Sequence, residues 1–164
     1  MKTLYIVRHA KSSWEQPSIG DHERPVLEKG VKRTKMVAKF LIEKKTRPDL
    51  IVSSDARRAY QTAVILAKKL GYPTEKISLS KMMYHAASQD VADIFYEIPE
   101  NVNSLMLVGH NPTMTDFANQ FLIEKTDWLP TSGVVSVSFD AAEWNKIFEV
   151  KPVVNFVVYP KMLK

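Results

Sequence analysis

Six short runs of β-branched and aliphatic residues alternate along the chain with longer segments of helical periodicity. The runs cover Thr3–Val7, Asp49–Ser53, Lys76–Leu79, Ser104–Val108, Val134–Phe139 and Val153–Tyr159. Their composition, their length and the turn residues around them favour β-strands. The central runs are apolar throughout, which is expected of strands that are covered on both faces.

The segments between these runs place apolar residues on one helical stripe. The helical candidates are Glu28–Lys45, Asp55–Leu70, Ser88–Ile98 and the residues that follow Asn111 and Pro112. Gly71 follows the second candidate and is typical of a helix C-terminus. Strands that alternate with helices predict an α/β fold: a three-layer sandwich with a mostly parallel central sheet of about six strands flanked by helices.

Size and composition limit the class of protein. The 164 residues fit one domain over residues 1–164, and the chain contains no cysteine, which favours a cytoplasmic protein. No apolar run approaches the roughly 20 residues of a membrane span, and nothing resembles a signal peptide. The net charge of +5 either reflects a solvated, lysine-rich surface or attracts an anionic partner. Lysines without interleaved aromatic residues argue against nucleic acid as that partner.

Basic side chains stand shortly after three of the predicted strands. Arg8 and His9 follow the first strand, Arg57 and Arg58 lie just beyond the second, and His110 follows the fourth. The carboxyl ends of parallel strands meet at one edge of a sheet, and ligands bind in the crevice beyond that edge. The sequence therefore predicts a cationic site there.

These residue types suit the binding and transfer of a phosphoryl group. An arginine presents a planar fork of donors to phosphate oxygens, and a neutral imidazole can attack phosphorus to give a covalent phosphohistidine. A second, charged imidazole would neutralise charge in the transition state. The sequence contains neither His-Glu-x-x-His nor His-x-His, so we expect no metal and no other cofactor.

Three motifs, in this order, are similar to those of a known family. They are Leu4–Ser12 with Arg8 and His9, then Ser53–Ala63 with Arg58, and Val108–Pro112 with His110. Together they resemble the histidine phosphatase (phosphoglycerate mutase-like) superfamily. The short length of the chain and the segments Asp21–Pro25 and Glu28–Gly30 are similar to the SixA phosphohistidine phosphatase branch of that superfamily.

The resemblance implies a phosphoglycerate mutase-like fold and a role for each matching residue. His9 would be the nucleophile that becomes phosphorylated, and Arg8, Arg58 and His110 would bind the phosphoryl group. Further candidates for substrate binding are Ser12, Arg24, Asn111 and His85. Arg24 either lines the pocket or is an arginine of a surface loop, and His85 is either a proton donor or a loop residue.

One stretch departs from the pattern of the superfamily. Many members carry a glutamate after the third strand that protonates an alcohol leaving group, whereas Ser80–Ala87 contains no carboxylate. Such an acid is typically worth about 10²- to 10⁴-fold in rate. Its absence favours cleavage of a phosphorus–nitrogen bond, or of a phosphate ester with an acidic leaving group.

The leading hypothesis is a phosphatase that removes phosphate from phosphohistidine on a partner protein. Two alternatives stay open: a broad phosphatase for small phosphate esters, and a non-catalytic module that binds phosphorylated partners. All three bind phosphate, and none involves a membrane or nucleic acid. For catalysis His9 must be neutral, and we expect the neighbouring arginines to lower its pKa. His110 is expected to act in its charged form once phosphate is bound.

Overall fold

The computed structural model describes residues 1–14, 19–85 and 87–164, apart from the side chain of His85. Six strands form one sheet in the order β3-β2-β4-β1-β5-β6. Their bounds are β1 Lys2–Arg8, β2 Leu50–Ser54, β3 Ser78–Ser80, β4 Ser104–Gly109, β5 Val134–Phe139 and β6 Val153–Val158. All six predicted strands are confirmed, because each observed end lies within two residues of the predicted one.

The sheet is mixed but mostly parallel, as the sequence predicts. Strand β1 pairs with β4 in parallel, and β2 pairs in parallel with both β4 and β3. Strand β5 is antiparallel to both of its neighbours, β1 and β6. The carboxyl ends of β1, β2 and β4 therefore lie at the same edge of the sheet.

Helices fill the segments between the strands. The α-helices are α1 Glu28–Glu43, α2 Arg57–Leu70, α3 Met82–His85, α4 Ser88–Ile94 and α5 Thr113–Asn119. Short 3₁₀ helices span Asp21–Glu23, Thr74–Lys76, Phe95–Glu97, Trp144–Glu149 and Pro160–Leu163. Helix α2 ends at Gly71, whose φ of 75° is the left-handed conformation expected of a C-terminal glycine. None of the helices in the described part of the chain is both long and apolar enough to cross a membrane.

Two predicted segments differ from the structure in the type of element that they contain. The predicted helix Ser88–Ile98 is α4 followed by the 3₁₀ turn Phe95–Glu97, so only its first part is α-helical. The segment around His85 was predicted as a loop but contains the short helix α3. A helix of one turn has no room for an amphipathic period, and its pattern therefore cannot be told from that of a loop.

Two buried clusters cover the two faces of the sheet, which confirms the three-layer sandwich. Along β1, Leu4 and Ile6 belong to one cluster, and Tyr5 and Val7 belong to the other. The first cluster includes residues of α4 and α5, and the second includes residues of α1 and α2. Because the apolar residues of β1 are covered on both faces, Arg8 and His9, which follow them, can reach solvent only at the carboxyl edge of the sheet.

The start of α1 packs directly on the backbone that follows His9. Leu27 N–H donates to the Lys11 carbonyl, with 2.9 Å between N and O. A Cβ atom placed on Gly30 would lie 2.5 Å from the Lys11 carbonyl oxygen and 3.1 Å from the Lys11 nitrogen. Both atoms belong to the backbone, so the contact can be relieved only by moving α1 or the loop.

We expect Gly30→Ala to destabilise the protein by about 1–3 kcal/mol, the usual cost of overpacking a tight contact. The higher helix propensity of alanine would by itself stabilise the variant by about 1 kcal/mol. A net loss of stability must therefore come from the steric contact. Gly20→Ala is the matched control, because none of the described residues lies within 4 Å of the added Cβ. Urea unfolding of both variants gives the comparison, and a Gly30→Ala variant as stable as wild type would contradict the close packing.

Candidate active site

The pairing of β1 with β4 brings two histidines side by side. Arg8 lies opposite Gly109 in the parallel register, and His9 N–H donates to the Gly109 carbonyl at 3.0 Å. The next residues along the two strands are therefore neighbours, and the ring centroids of His9 and His110 are 5.1 Å apart. Each residue is 7% exposed, so both imidazoles are largely withdrawn from water.

A single hydrogen bond fixes the tautomer of His9. Its Nδ1 lies 2.7 Å from the carbonyl oxygen of Ala10. A carbonyl oxygen can only accept, so Nδ1 must carry the proton and donate it. In the neutral ring the lone pair is then on Nε2, so Nε2 is the nitrogen that can attack an electrophile.

The ring of His110 is held by the end of β2. Its Nε2 forms a hydrogen bond of 2.8 Å with the Ser54 hydroxyl, which also accepts from the Ala56 N–H at 3.2 Å. The ring of Tyr84 packs edge-on against His110, with 5.5 Å between centroids. Nδ1 of His110 is buried and has no hydrogen-bond partner within the described residues.

A pocket of about 520 Å³ opens at this edge of the sheet. Seven of the eight predicted site residues line it: Arg8, His9, Ser12, Arg24, Arg58, His110 and Asn111. The eighth, His85, has a side chain outside the described residues, so its assignment stays a prediction. Five lining residues were not predicted from the sequence: Lys11, Trp14, Asp21, Trp128 and Thr131.

Three buried polar atoms on the pocket residues lack a partner in the described part of the chain. They are Nε of Arg8, Nε of Arg58 and Nδ1 of His110. Buried polar groups are almost always paired, because leaving one unpaired costs about 1–3 kcal/mol. Two of the three are N–H groups of permanently charged guanidinium ions. The guanidinium charges of Arg8 and Arg58 among the lining residues suit an anion with several acceptor oxygens, such as a phosphoryl group.

Asp21 is the main site residue that sequence reasoning missed. Arg58 donates from Nη1 to the Asp21 carbonyl at 2.8 Å and from Nη2 to its carboxylate at 3.1 Å. Arg24 donates from Nε to the same carboxylate at 3.0 Å, and the Tyr84 hydroxyl donates to it as well. Asp21 therefore holds two of the pocket arginines and links them to α3.

The ionisation of Asp21 decides what it can do. Burial acts to raise its pKa, but the hydrogen bond from Tyr84 and the charges of Arg58 and Arg24 outweigh burial and lower the pKa to about 2. The pKa of the Tyr84 hydroxyl is raised by burial and by the nearby Asp21 carboxylate. A carboxyl group with so low a pKa is ionised at neutral pH, so Asp21 has no proton to give to a leaving group.

Both histidines are neutral in this arrangement. Burial is the largest cause that lowers the pKa of His9, the hydrogen bond to Ala10 opposes it, and the charges of Arg58, Arg8 and Arg24 lower the pKa further, to about 3. The pKa of His9 is thus shifted in the expected direction, but burial is a larger cause of the shift than the arginines. For His110, burial and then the neighbouring His9 lower the pKa to about 3.

Three further predicted residues have structural partners. Arg24 donates from Nη1 to the Ser12 hydroxyl at 3.1 Å and to the Ser13 carbonyl at 3.2 Å, so it both lines the pocket and tethers the loop. Asn111 donates to the Leu129 carbonyl at 2.8 Å and accepts from the backbone N–H of Thr115 at 3.1 Å. The structure gives Asn111 a positioning role, and contact with substrate stays a prediction for it.

Metal ligands are not clustered in the described part of the chain. Within residues 1–14, 19–84 and 87–164, no group of three His, Asp or Glu side chains is placed to hold a metal ion. His22 contacts the Asp55 carboxylate at 3.0 Å through Nε2. That contact ties the Asp21–Glu23 turn to the segment between β2 and α2.

Comparisons with known proteins agree with this geometry. Residues 4–81 match the sequence model of the histidine phosphatase superfamily (branch 1). An uncharacterized protein of Picosynechococcus sp. is 30% identical over 85% of this chain and 86% of its own length. An uncharacterized chloroplastic protein of Arabidopsis thaliana is 30% identical over 67% of this chain and 54% of its own length, so the match spans about half of that relative.

The chain is also similar to a solved structure in its three-dimensional fold. The crystal structure of the Agrobacterium tumefaciens protein assigned as the phosphohistidine phosphatase SixA matches with a TM-score of 0.81 at 27% identity. The match covers 97% of this chain and 99% of that chain. The expected phosphoglycerate mutase-like α/β fold is therefore confirmed.

Two buried, neutral histidines make stability depend on pH. Their pKa values are about 3 in the folded protein and 6.5 in the unfolded chain. Between these values the unfolded chain binds more protons, so we expect stability to fall as the pH drops from 6.5 toward 3. His110→Asn removes one such group and should reduce the loss between pH 7.5 and 4.5 by about 1–3 kcal/mol.

The measurement is urea unfolding at both pH values in buffer free of phosphate and sulfate. His22→Asn is the matched control, because the pKa of His22 is raised by Asp55 and Glu23. Removing His22 should therefore leave the acid sensitivity unchanged or increase it. Equal acid sensitivity in wild type and His110→Asn would contradict a buried, neutral His110.

Proposed function

The chain belongs to the histidine phosphatase superfamily, and on that premise we propose that it is a metal-independent phosphatase that removes phosphate from phosphohistidine on a partner protein. His9 is the nucleophile and forms a covalent phosphohistidine intermediate. The proposal takes residues 1–164 as one catalytic domain and a cytoplasmic location, with no cofactor.

The observation that carries the proposal is the hydrogen bond from His9 Nδ1–H to the Ala10 carbonyl, 2.7 Å between N and O. It leaves the lone pair on Nε2, and the pKa of about 3 keeps the ring neutral throughout the physiological range. A binding module needs arginines, but it has no use for an imidazole held in the nucleophilic tautomer. This supports catalysis over binding alone.

Turnover takes two displacements at phosphorus. In the first, His9 Nε2 attacks, the new P–N bond forms, and the P–N bond to the substrate imidazole breaks. The substrate ring takes a proton from water on its other nitrogen, so it leaves as neutral imidazole and hydroxide forms. In the second, water attacks phospho-His9, the P–N bond breaks with its electron pair returning to Nε2, and the dihydrogen phosphate that forms gives one proton to that hydroxide.

The charge of the transferred group is met by side chains. Arg8, Arg58 and Arg24 place three positive charges among the lining residues, and Nε–H of Arg8 and of Arg58 has no partner within the described residues. A bound phosphoryl dianion raises the pKa of His110, so that Nδ1 can also donate to it. Preorganised cations of this kind stabilise a phosphoryl transition state without a metal ion.

The chemistry of the leaving group supports a phosphorus–nitrogen bond. An alkoxide leaves poorly without a proton donor, and Asp21, the carboxylate among the described pocket residues, is ionised with a pKa of about 2. Ser80–Ala87 contains no carboxylate, and the carboxylate that another segment supplies, Asp21, is in the wrong protonation state to donate a proton. An imidazole, in contrast, leaves as a neutral group. The likeness to the Agrobacterium protein assigned as a phosphohistidine phosphatase points to the same substrate class.

We expect a histidine-phosphorylated peptide to be hydrolysed at least about 100-fold faster than the matched phosphoserine peptide, since a missing acid costs 10²–10⁴-fold on an ester. The comparison is of kcat/KM in excess chelator. His9→Ala should show no turnover and retain a cooperative thermal melt.

Each alternative has its own outcome in that experiment. Equal or faster hydrolysis of the phosphoserine peptide would favour a broad phosphatase for phosphate esters. Binding of the phosphopeptides without turnover by wild type would favour a non-catalytic module. Activity that is lost in chelator and restored by zinc or magnesium would overturn metal independence.

A further inference from the structure

Two exposed tryptophans border the pocket that contains His9. Trp14 is 78% exposed and Trp128 is 52% exposed, and both are lining residues. The third tryptophan of the chain, Trp144, behaves differently: it is 1% exposed and its indole N–H donates to the Val102 carbonyl at 2.7 Å. Trp144 stabilises the core. Trp14, in contrast, exposes most of its surface to water, and Trp128 exposes about half.

Trp14 is positioned by a guanidinium group. The central carbon of Arg24 lies 3.6 Å from the centroid of the Trp14 ring, which is close stacking. Arg24 is itself fixed by the Ser12 hydroxyl and the Asp21 carboxylate. One face of the indole is therefore covered by Arg24, and its high exposure leaves the remaining surface available beside the pocket.

Trp128, in the segment between α5 and β5, is positioned in a similar way. The central carbon of Arg8 lies 5.6 Å from the centroid of its ring. The carbonyl of the next residue, Leu129, accepts from Arg8 Nη1 at 3.1 Å and from Asn111 Nδ2 at 2.8 Å. The segment that carries Trp128 is thus tied to two residues of the predicted site.

From this placement we propose that Trp14 and Trp128 form an aromatic rim that binds the leaving group of the substrate, and that the group it takes is a planar π ring. The inference rests on the proposed function, in which that ring is the imidazole of phosphohistidine. Each indole packs on an arginine of the pocket, Trp14 on Arg24 and Trp128 on Arg8, so a substrate whose phosphate contacts Arg8 has its next atoms beside the rim. Stacked aromatic rings stabilise a complex by more than their buried area accounts for. Aliphatic groups lack this additional stabilisation.

The test compares ligands that differ only in the group next to phosphorus. The ligands are phenylphosphonate and ethylphosphonate, whose P–C bonds resist hydrolysis, and their Kd values are measured by calorimetry. We expect wild type to prefer phenylphosphonate, and Trp14→Ala or Trp128→Ala to lose about 3- to 10-fold of that preference, the range for one stacking contact. Binding of ethylphosphonate should change by less than about 2-fold.

Three control variants separate stacking from general damage. Trp14→Phe and Trp128→Phe keep a ring and should retain most of the preference, while Tyr96→Ala, which removes an aromatic residue that is 73% exposed and is not among those lining the pocket, should leave it unchanged. A loss of equal size for both phosphonates would mean that the tryptophans only hold Arg24 and Arg8 in place, and would overturn the rim. No loss for either ligand would overturn it as well.

The phosphonates keep this test independent of turnover. If the peptide comparison shows no preference for phosphohistidine but phenylphosphonate still depends on Trp14 and Trp128, the proposed substrate is wrong and the ring-binding rim stands. If phosphohistidine is preferred and the alanine variants bind both phosphonates as wild type does, the substrate stands and the rim is wrong. With N-phosphoimidazole as substrate, the alanine variants should lose about 3- to 10-fold in kcat/KM.

Discussion

The parallel register of β1 on β4 is the constraint on which the site depends. Arg8 lies opposite Gly109, so His9 and His110 emerge side by side from the sheet edge with ring centroids 5.1 Å apart. A one-residue slip would turn every side chain of β1 to the other face of the sheet and would place Leu4 and Ile6 among the residues that pack against α1 and α2. The burial of both faces of β1 thus fixes the register, and the register fixes the distance between the two imidazoles.

Burial also sets the protonation of the site. Several positively charged side chains line one pocket. The two histidines remain neutral there, because burial and the neighbouring cations lower both of their pKa values to about 3. Asp21 contributes the opposite charge and holds Arg58 and Arg24 in place. The result is a pocket with fixed guanidinium groups, a neutral nucleophile and an ionised carboxylate. Such a pocket attracts a phosphoryl group but offers little help to an alkoxide leaving group.

The strands of the fold and several residues of the site could be predicted from the sequence, because local sequence patterns indicate them. The six strands are short apolar runs with clear flanking turns, and the strand-end rule then placed Arg8, His9, Arg58 and His110 at one edge. Asp21 could not be found in this way. It lies in a 3₁₀ turn distant in sequence from Arg58 and Tyr84, and only the tertiary fold brings the three together. Likewise, the sequence indicated arginines near His9, but the larger effect on its pKa is burial, which no single residue reveals.

The central claim is that phosphate passes through Nε2 of His9. The most direct measurement is rapid acid-free quenching of the protein with a histidine-phosphorylated peptide, followed by localisation of the phosphoryl group by mass spectrometry and phosphorus NMR. We predict one phosphoryl group per chain, on Nε2 of His9, labile in acid, stable in alkali and absent from His9→Ala. A phosphoryl group on another residue, or turnover without any phosphorylated protein during the first cycle, would contradict the mechanism.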